Sequence, residues 1–371
     1  MPSKPSNDPF HFHKVALRPL LRPLDEKKTT TLFKTIESLE LEEFVPFLYR
    51  QGLAQLWLEF LLRQDSLPNA FEAIVRSLKQ DALNTAANQL MQRVVLQDTR
   101  DALLDGGIDY LVFKGAHLRH TLYADSTHRP VCDIDILVRD ECKLDAVKAL
   151  LRAGFSAHHK AENISHETSL VKKKVCIDLH WHLLRPGRTR IDLNDYLFNQ
   201  RQAFGEFAGL SNEAALLVML IHPAITKYVN GSASSLIHLV DIHRLAQSND
   251  INWDRLIATL RTSGTRTAAW ASLAWLQMLA GEAIYEDLAN QLRPGSLQAG
   301  WIRYWMGKNL NVKLAERKLI VRCGFSIALQ DSLKDSVSAI FVLQKEQREA
   351  AKTMKQLAAL GIRSGSTSAK S

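Results

Sequence analysis

The chain has 371 residues, 46% of them hydrophobic, enough to bury a large core and to fill two or three domains. Its longest nearly uncharged apolar stretch, around Ala214 to Ile225, holds His222 and Pro223 and is too short to cross a bilayer. Met1-Pro2-Ser3-Lys4-Pro5 lacks the apolar core of a signal peptide, so a cytoplasmic chain without a membrane partner is expected. Cys132, Cys142, Cys176 and Cys323 show no CxxC spacing, which fits reduced thiols better than a disulfide frame or a zinc ribbon. A net charge of +8 suits anionic partners such as nucleotides or phosphorylated substrates. Nucleic acid is compatible with that charge but not indicated, because no long Lys/Arg run is interleaved with aromatics.

Residues 1–28 are rich in Pro, Lys and Arg and read as a loose arm. Residues 29–105 read as a helical region. Leu41, Phe44, Val45 and Leu48 share one helical face, with a break or kink expected at Pro46. Leu53, Leu56, Trp57 and Phe60 repeat that spacing, and Ala70 to Leu104 runs without Gly or Pro. At Gly106-Gly107 the texture changes. Ile108 to Phe113 reads as a strand, 116–124 as a helix, and Val131 to Val138 as a second strand. A helix from Asp140 to Ala153 follows, then strands at Phe155 to Lys160, Glu167 to Lys172 and Lys174 to Leu183. The resulting β-α-β-α-β-β-β order over 106–185 is an α+β unit. Residues 186–362 read as a C-terminal helical domain, clearest at Asn212 to Ile221, Ser235 to Ala246 and Trp253 to Arg261. The Ser-rich end, 363–371, reads as a disordered tail.

Chemistry concentrates in Arg129-Pro130-Val131-Cys132-Asp133-Ile134-Asp135-Ile136-Leu137-Val138. On a strand, alternate side chains share a face, so Asp133 and Asp135 point together, about 7 Å apart, while Ile134, Ile136 and Val138 belong to a core. Two like charges on one strand face need a cation. A solvated strand paired to Lys or Arg would supply one; divalent metal would supply another, in the geometry of phosphoryl and nucleotidyl transfer. The strand Lys174-Val175-Cys176-Ile177-Asp178-Leu179-His180-Trp181-His182 repeats the pattern, with Asp178, His180 and His182 on the polar face. If the two strands are neighbours, Asp178 becomes a third carboxylate of the same site. The His180/His182 pair could also bind zinc or copper, although histidines so placed more often bond phosphate or a carboxylate. Lys114-Gly115-Ala116 stands where strand gives way to helix, where backbone N–H groups can approach an anion. Lys114 or Arg129 could give cationic charge to a triphosphate. No Walker A, GxGxxG or GxSxG motif is present.

In order, Val112-Phe113-Lys114-Gly115-Ala116, the Arg129-Pro130…Asp133-Ile134-Asp135 run and Ile177-Asp178-Leu179-His180-Trp181 resemble the DNA polymerase β-like nucleotidyltransferase superfamily. The resemblance is to its bacterial branch of uncharacterised nucleotidyltransferase family proteins, and it is best over about 100–185. It implies a polymerase β-like core, a mixed sheet with helices, flanked by N- and C-terminal helical regions. It also implies Asp133, Asp135 and Asp178 as catalytic, metal-binding carboxylates and Gly115 on the triphosphate loop. Beside them, Lys114, Ala116, Arg129 and His180 are expected on the nucleotide side from their own chemistry and position. The superfamily usually carries Gly-Gly or Gly-Ser in that loop, and Ala116 offers no hydroxyl to a phosphate. The implied reaction moves a nucleoside monophosphate from an NTP, ATP first among them, to a small-molecule or protein acceptor with Mg²⁺ or Mn²⁺, releasing pyrophosphate. A kinase using the same site and a non-catalytic nucleotide-binding scaffold are the competing expectations. His222, His238 and Asp241 resemble recurrent positions of the branch's helical half and are expected to pack or cap helices rather than face an acceptor.

Overall fold

The computed structural model describes residues 8–39, 41–157, 166–227, 229, 235–283, 285–308, 324 and 327–360. The expected tail at 363–371 and residues 158–160 of the third expected strand lie outside that set.

The expected loose arm is corrected from residue 11 onward. His11–Leu21 is a helix, α1, that buries Val15, Ala16, Leu17 and Leu21, and the Trp57 indole donates to the Ala16 carbonyl at 2.9 Å. The Pro and Arg content there hides a helical apolar spacing, and the helix runs through Pro19 in its last turn. Glu26–Glu37 forms α2, capped by Asp25, whose carboxylate accepts from the Lys28 N–H at 2.8 Å. Leu41–Arg50 (α3) runs through Pro46 instead of ending there. Ala54–Leu62 (α4) and the 37-residue Asn69–Asp105 (α5) complete the N-terminal helices.

The expected α+β order then appears. Tyr110–Phe113 is β1, Lys114–Thr121 is α6, Asp133–Val138 is β2 and Lys143–Arg152 is α7. Ser156–Ala157, Glu167–Lys172 and Val175–His180 are β3, β4 and β5. They form one mixed sheet in the order β1-β2-β5-β4-β3. β2 and β5 are parallel, and the other neighbouring pairs are antiparallel. The β4–β5 hairpin turns on Lys173 and Lys174, both with positive φ (50° and 67°), a turn that ordinarily selects Asn-Gly. Lys172 is tied at 2.7 Å to Asp98 on α5, which anchors this hairpin to the long helix.

Asn194–Asn199 (α8) begins the C-terminal region, which is corrected in one respect. Arg201–Phe204 (β6) and Phe207–Leu210 (β7) form a hairpin inside the stretch expected to be helical. It packs beside β1. Gly209 is needed there, since a Cβ would come within 2.3 Å of the His117 ring. Asn212–Lys227 (α9), Ile237–Ala246 (α10), Trp253–Thr262 (α11), Arg266–Ala280 (α12), Glu286–Leu292 (α13), Ser296–Met306 (α14) and Leu333–Ala359 (α15) follow. α9 is the central helix of this half. Eleven of its residues are buried, and it packs against α10 and α12. One continuous apolar cluster joins the helices to the sheet. Among the described residues no helix is long and apolar enough to cross a membrane.

Candidate functional site

The parallel pairing of β2 with β5 sets Asp135 directly beside Asp178, and alternation along β2 puts Asp133 on the same face. All three sequence-picked aspartates therefore converge on one side of the sheet, while Ile134, Ile136, Ile177 and Leu179 are buried on the other. From β4, Ser169 faces Asp178 in register and its hydroxyl donates to Oδ1 at 2.5 Å. The three acids are unequally served. Asp133 has no ion-pair partner among the described residues, and the Asp135 charge, burial and then Asp178 push its carboxyl up to about 6. The crowding is thus not relieved by the protein alone, and the donor set is hard carboxylate oxygen, the ligand type of Mg²⁺ and Mn²⁺. The residues present fit a hard dication.

Asp135 is the opposite case. Burial opposes its charge, but the Lys114 ammonium at 2.7 Å and the His180 Nε2 at 3.0 Å hold the carboxyl well below the usual range. Lys114 reaches it from the β1–α6 junction with φ at 54°, a left-handed backbone in a non-glycine residue. Such a conformation costs on the order of 1–3 kcal/mol and marks a position that the surroundings over-determine. Burial disfavours the charged ammonium, yet Asp135 and then Glu167 outweigh it and raise the Lys114 pKa. His180, 1% exposed, packs edge-on against Phe113, and its ring is fixed between β1 and β4.

The other nucleotide-side residues fare differently. Gly115 and Ala116 lie buried in the first turn of α6, and a Cβ on Gly115 would crowd Val131 Cγ2 at 3.2 Å and the Arg129 guanidinium at 3.3 Å. The glycine is thus explained by close packing of the helix on the 129–131 segment. Arg129 was expected to be available to a triphosphate; the structure instead engages it. Its Nη2 meets Asp241 Oδ2 at 2.7 Å and its Nε lies 3.1 Å from both carboxylate oxygens. Tyr123 adds a hydroxyl donor to the same carboxylate at 2.7 Å. Asp241 is 0% exposed and Arg129 5%. The pair bolts α10 to the segment leading into β2, a fixing role for Asp241. His182 also leaves the expected polar row: past the end of β5, its Nδ1 lies 3.5 Å from Asp192 and its Nε2 3.7 Å from Asp140. It does not join His180 in an HxH site.

Sequence reasoning missed four residues that the fold brings here. Ser169 and Glu167 arrive through the β4 register, which no local motif announces. His166 immediately precedes them, and its carbonyl is held by the Trp181 N–H at 2.9 Å. Lys227, the last residue of α9, has no ion-pair partner among the described residues. Desolvation and Lys114 depress its pKa, against the pull of Asp135 and Asp133, so its charge is felt directly at the carboxylates. His222 on the same helix is pushed well below its ordinary value by desolvation and then by Lys114 and Lys227, and His238 by desolvation and then by Lys227 and Arg129. α9 and α10 thus set a lysine and two neutral imidazoles within electrostatic range of the acidic face. A separate pocket of about 210 Å³, lined by His182, Pro186, Arg190 and Asp192 among others, opens beyond the end of β5 and contains none of the three aspartates.

Among the described residues, one group brings its candidate ligand atoms within 4.8 Å of one another, the cluster of His166, Glu167 and His180; the three aspartates share a sheet face but do not form such a group. No curated protein and no solved structure matches the chain. A family model described as "uncharacterised nucleotidyltransferase" matches residues 37–281, a span that takes in the whole five-stranded sheet, β6–β7 and α9 through α12. That match supports a nucleotidyl-transfer function. With two thirds of its length matched and with the sheet and carboxylate row in place, the chain belongs to this family of uncharacterised nucleotidyltransferases.

Proposed function

We propose that the protein is a metal-dependent nucleotidyltransferase of the polymerase β-like type. It moves a nucleoside monophosphate from an NTP, ATP first among the candidates, to the hydroxyl of a small-molecule or protein acceptor, with release of pyrophosphate. The observation that carries the reading is the register of β2 on β5, which aligns Asp135 with Asp178 and leaves Asp133 beside them without a cation of its own. Bound to these carboxylates, Mg²⁺ or Mn²⁺ would lower the pKa of the acceptor hydroxyl and neutralise charge on the triphosphate.

The chain's own residues divide the remaining work. Asp133 and Asp178 present open carboxylate oxygens, Asp178 steadied by Ser169. Asp135 is aimed by Lys114 and His180, which fix its carboxylate from two sides. Among the described residues Lys114 and Lys227 bring ammonium groups near the acids, and they supply positive charge that a triphosphate and a departing pyrophosphate require. His222 and His238, held neutral, offer hydrogen bonds without adding charge and suit the acceptor side. Arg129 contributes indirectly, by holding α10 and the start of β2 in register.

Incubation of the protein with α-labelled or γ-labelled ATP, Mg²⁺ and cell extract tests the reading. Label from the α position on an acceptor is the expected result. Label transferred only from the γ position would make the protein a kinase using the same carboxylates and would overturn the proposal.

A further inference from the structure

Beside the aspartate row the same face carries a second, chemically different set of donors. Glu167 on β4 stands directly opposite His180 on β5. Its Oε2 lies 3.0 Å from His180 Nδ1 and 3.5 Å from His166 Nε2. His166 is 4% exposed and His180 1%, the Glu167 side chain is 14% exposed, and the strand pairing and the His166 carbonyl bond fix their backbones.

The contact between His180 and Glu167 is informative because it is close but not a hydrogen bond. An N–H on Nδ1 would not point at the carboxylate oxygen, and Nδ1 makes no hydrogen bond despite its burial. Its other nitrogen, Nε2, is 3.0 Å from Asp135 Oδ1. A neutral ring that donates from Nε2 to Asp135 leaves Nδ1 with a buried lone pair that has no hydrogen-bond partner, 3.0 Å from Glu167 Oε2. Two lone-pair donors 3.0 Å apart repel unless something positive lies between them. Around a cation with bonds of about 2.0–2.2 Å, neighbouring ligand atoms stand about 3.0–3.5 Å apart, and both measured separations fall in that interval. The outer nitrogen of the histidine bonded to a carboxylate is also the usual support of a metal-bound imidazole.

We propose that His166 Nε2, Glu167 Oε2 and His180 Nδ1 hold a transition-metal dication of the zinc class. This site is distinct from the Mg²⁺ or Mn²⁺ site of the three aspartates and linked to it through the His180–Asp135 bond. Two imidazoles and one carboxylate select a borderline-soft ion over Mg²⁺, while the aspartate row selects the reverse. Three protein ligands leave a fourth position for water or a substrate atom. The inference stands on the histidine and glutamate geometry and does not depend on the nucleotidyl-transfer reading.

The test is a Co²⁺ titration of chelator-treated full-length protein in excess Mg²⁺, which occupies the aspartates, followed by visible absorption. One equivalent of Co²⁺ should give the strong ligand-field bands of a four- or five-coordinate site with nitrogen ligands, and Zn²⁺ should abolish them stoichiometrically. Glu167→Gln, nearly isosteric, and His166→Ala should each weaken Co²⁺ binding by at least about tenfold, and circular dichroism reports whether each variant is folded. Asp133→Ala should leave the bands unchanged. Absence of the bands in the wild type, or equal Co²⁺ binding by a folded Glu167→Gln protein, would overturn the site. Loss of the bands in Asp133→Ala with retention in Glu167→Gln would place the cobalt on the aspartates and overturn it equally.

Discussion

Two buried charge systems lie within one region of this molecule and behave in opposite ways. Where α10 meets the segment before β2, Asp241 is matched in full: Arg129 embraces it with two nitrogens and Tyr123 donates a further bond. On the sheet face, Asp133, Asp135, Asp178 and Glu167 have Lys114 and Lys227 as nearby ammonium groups, and Asp133 is left to be repelled by its neighbours. A charge fully paired inside a protein holds elements together. A charge left in excess is held there by the fold against its own electrostatic cost and is available to something that binds. The contrast separates Arg129, which its charge alone assigns to the nucleotide side, and its partner Asp241 from the residues that would touch a ligand.

The sharpest way to break the comparison is to remove one half of the satisfied pair. Arg129→Met leaves Asp241 charged with only Tyr123 to serve it, and a stability loss of about 3–5 kcal/mol is expected from urea denaturation. A loss below about 1 kcal/mol would show that the pair is not what fixes α10. The acidic face should respond with the other sign. In metal-free protein, Asp133→Asn is expected to stabilise by on the order of 2 kcal/mol at pH 8. The folded pKa of Asp133, raised from 3.8 to about 6, lies above its unfolded value. The ionised form is therefore destabilising, in full above about pH 6 and not at all below the ordinary carboxylate range. The gain from Asp133→Asn should accordingly shrink as pH falls from 7 towards 4, and a gain independent of pH would assign it to another cause. The smallest stability effect is expected at Lys227. Lys227→Ala should change stability by no more than about 0.5 kcal/mol. It should weaken Mg²⁺-NTP binding about tenfold, as loss of a charge-assisted contact to phosphate does. Unchanged affinity by calorimetry would remove Lys227 from the site.

Much of the core was legible because it is local. Alternation along Asp133 to Val138 and along Val175 to His180 is a property of each strand by itself, and it placed the aspartates and His180 on the polar face before any pairing was known. The helices at Asn69–Asp105 and Trp253–Thr262 likewise follow from spacing, the second with Asn252 as its cap, whereas Lys143–Arg152 starts three residues after the expected Asp140 cap, which opens a short 3-10 turn instead. What stayed hidden depends on contacts distant in sequence. His166, Glu167 and Ser169 matter only because β4 pairs with β5 in one register. Lys227 is a single cation at the end of an apolar run, and nothing local says that α9 ends facing a sheet whose strands lie 47 to 117 residues earlier. Arg129 was read for its charge, and its partner lies 112 residues away. The hairpin Arg201–Leu210 escaped because its strands are four residues each, too short for a period to register.

The central claim is that the excess carboxylates on this face bind metal with a nucleoside triphosphate. Its most direct test is calorimetric titration of NTP into wild type and into Asp133→Ala/Asp135→Ala, with and without Mg²⁺. The account predicts Mg²⁺-dependent binding in the wild type and none in the double variant, whose folding is checked by circular dichroism because removing Asp135 strips Lys114 and His180 of their partner. A double variant that binds NTP with the wild-type affinity and the same dependence on Mg²⁺ would contradict it.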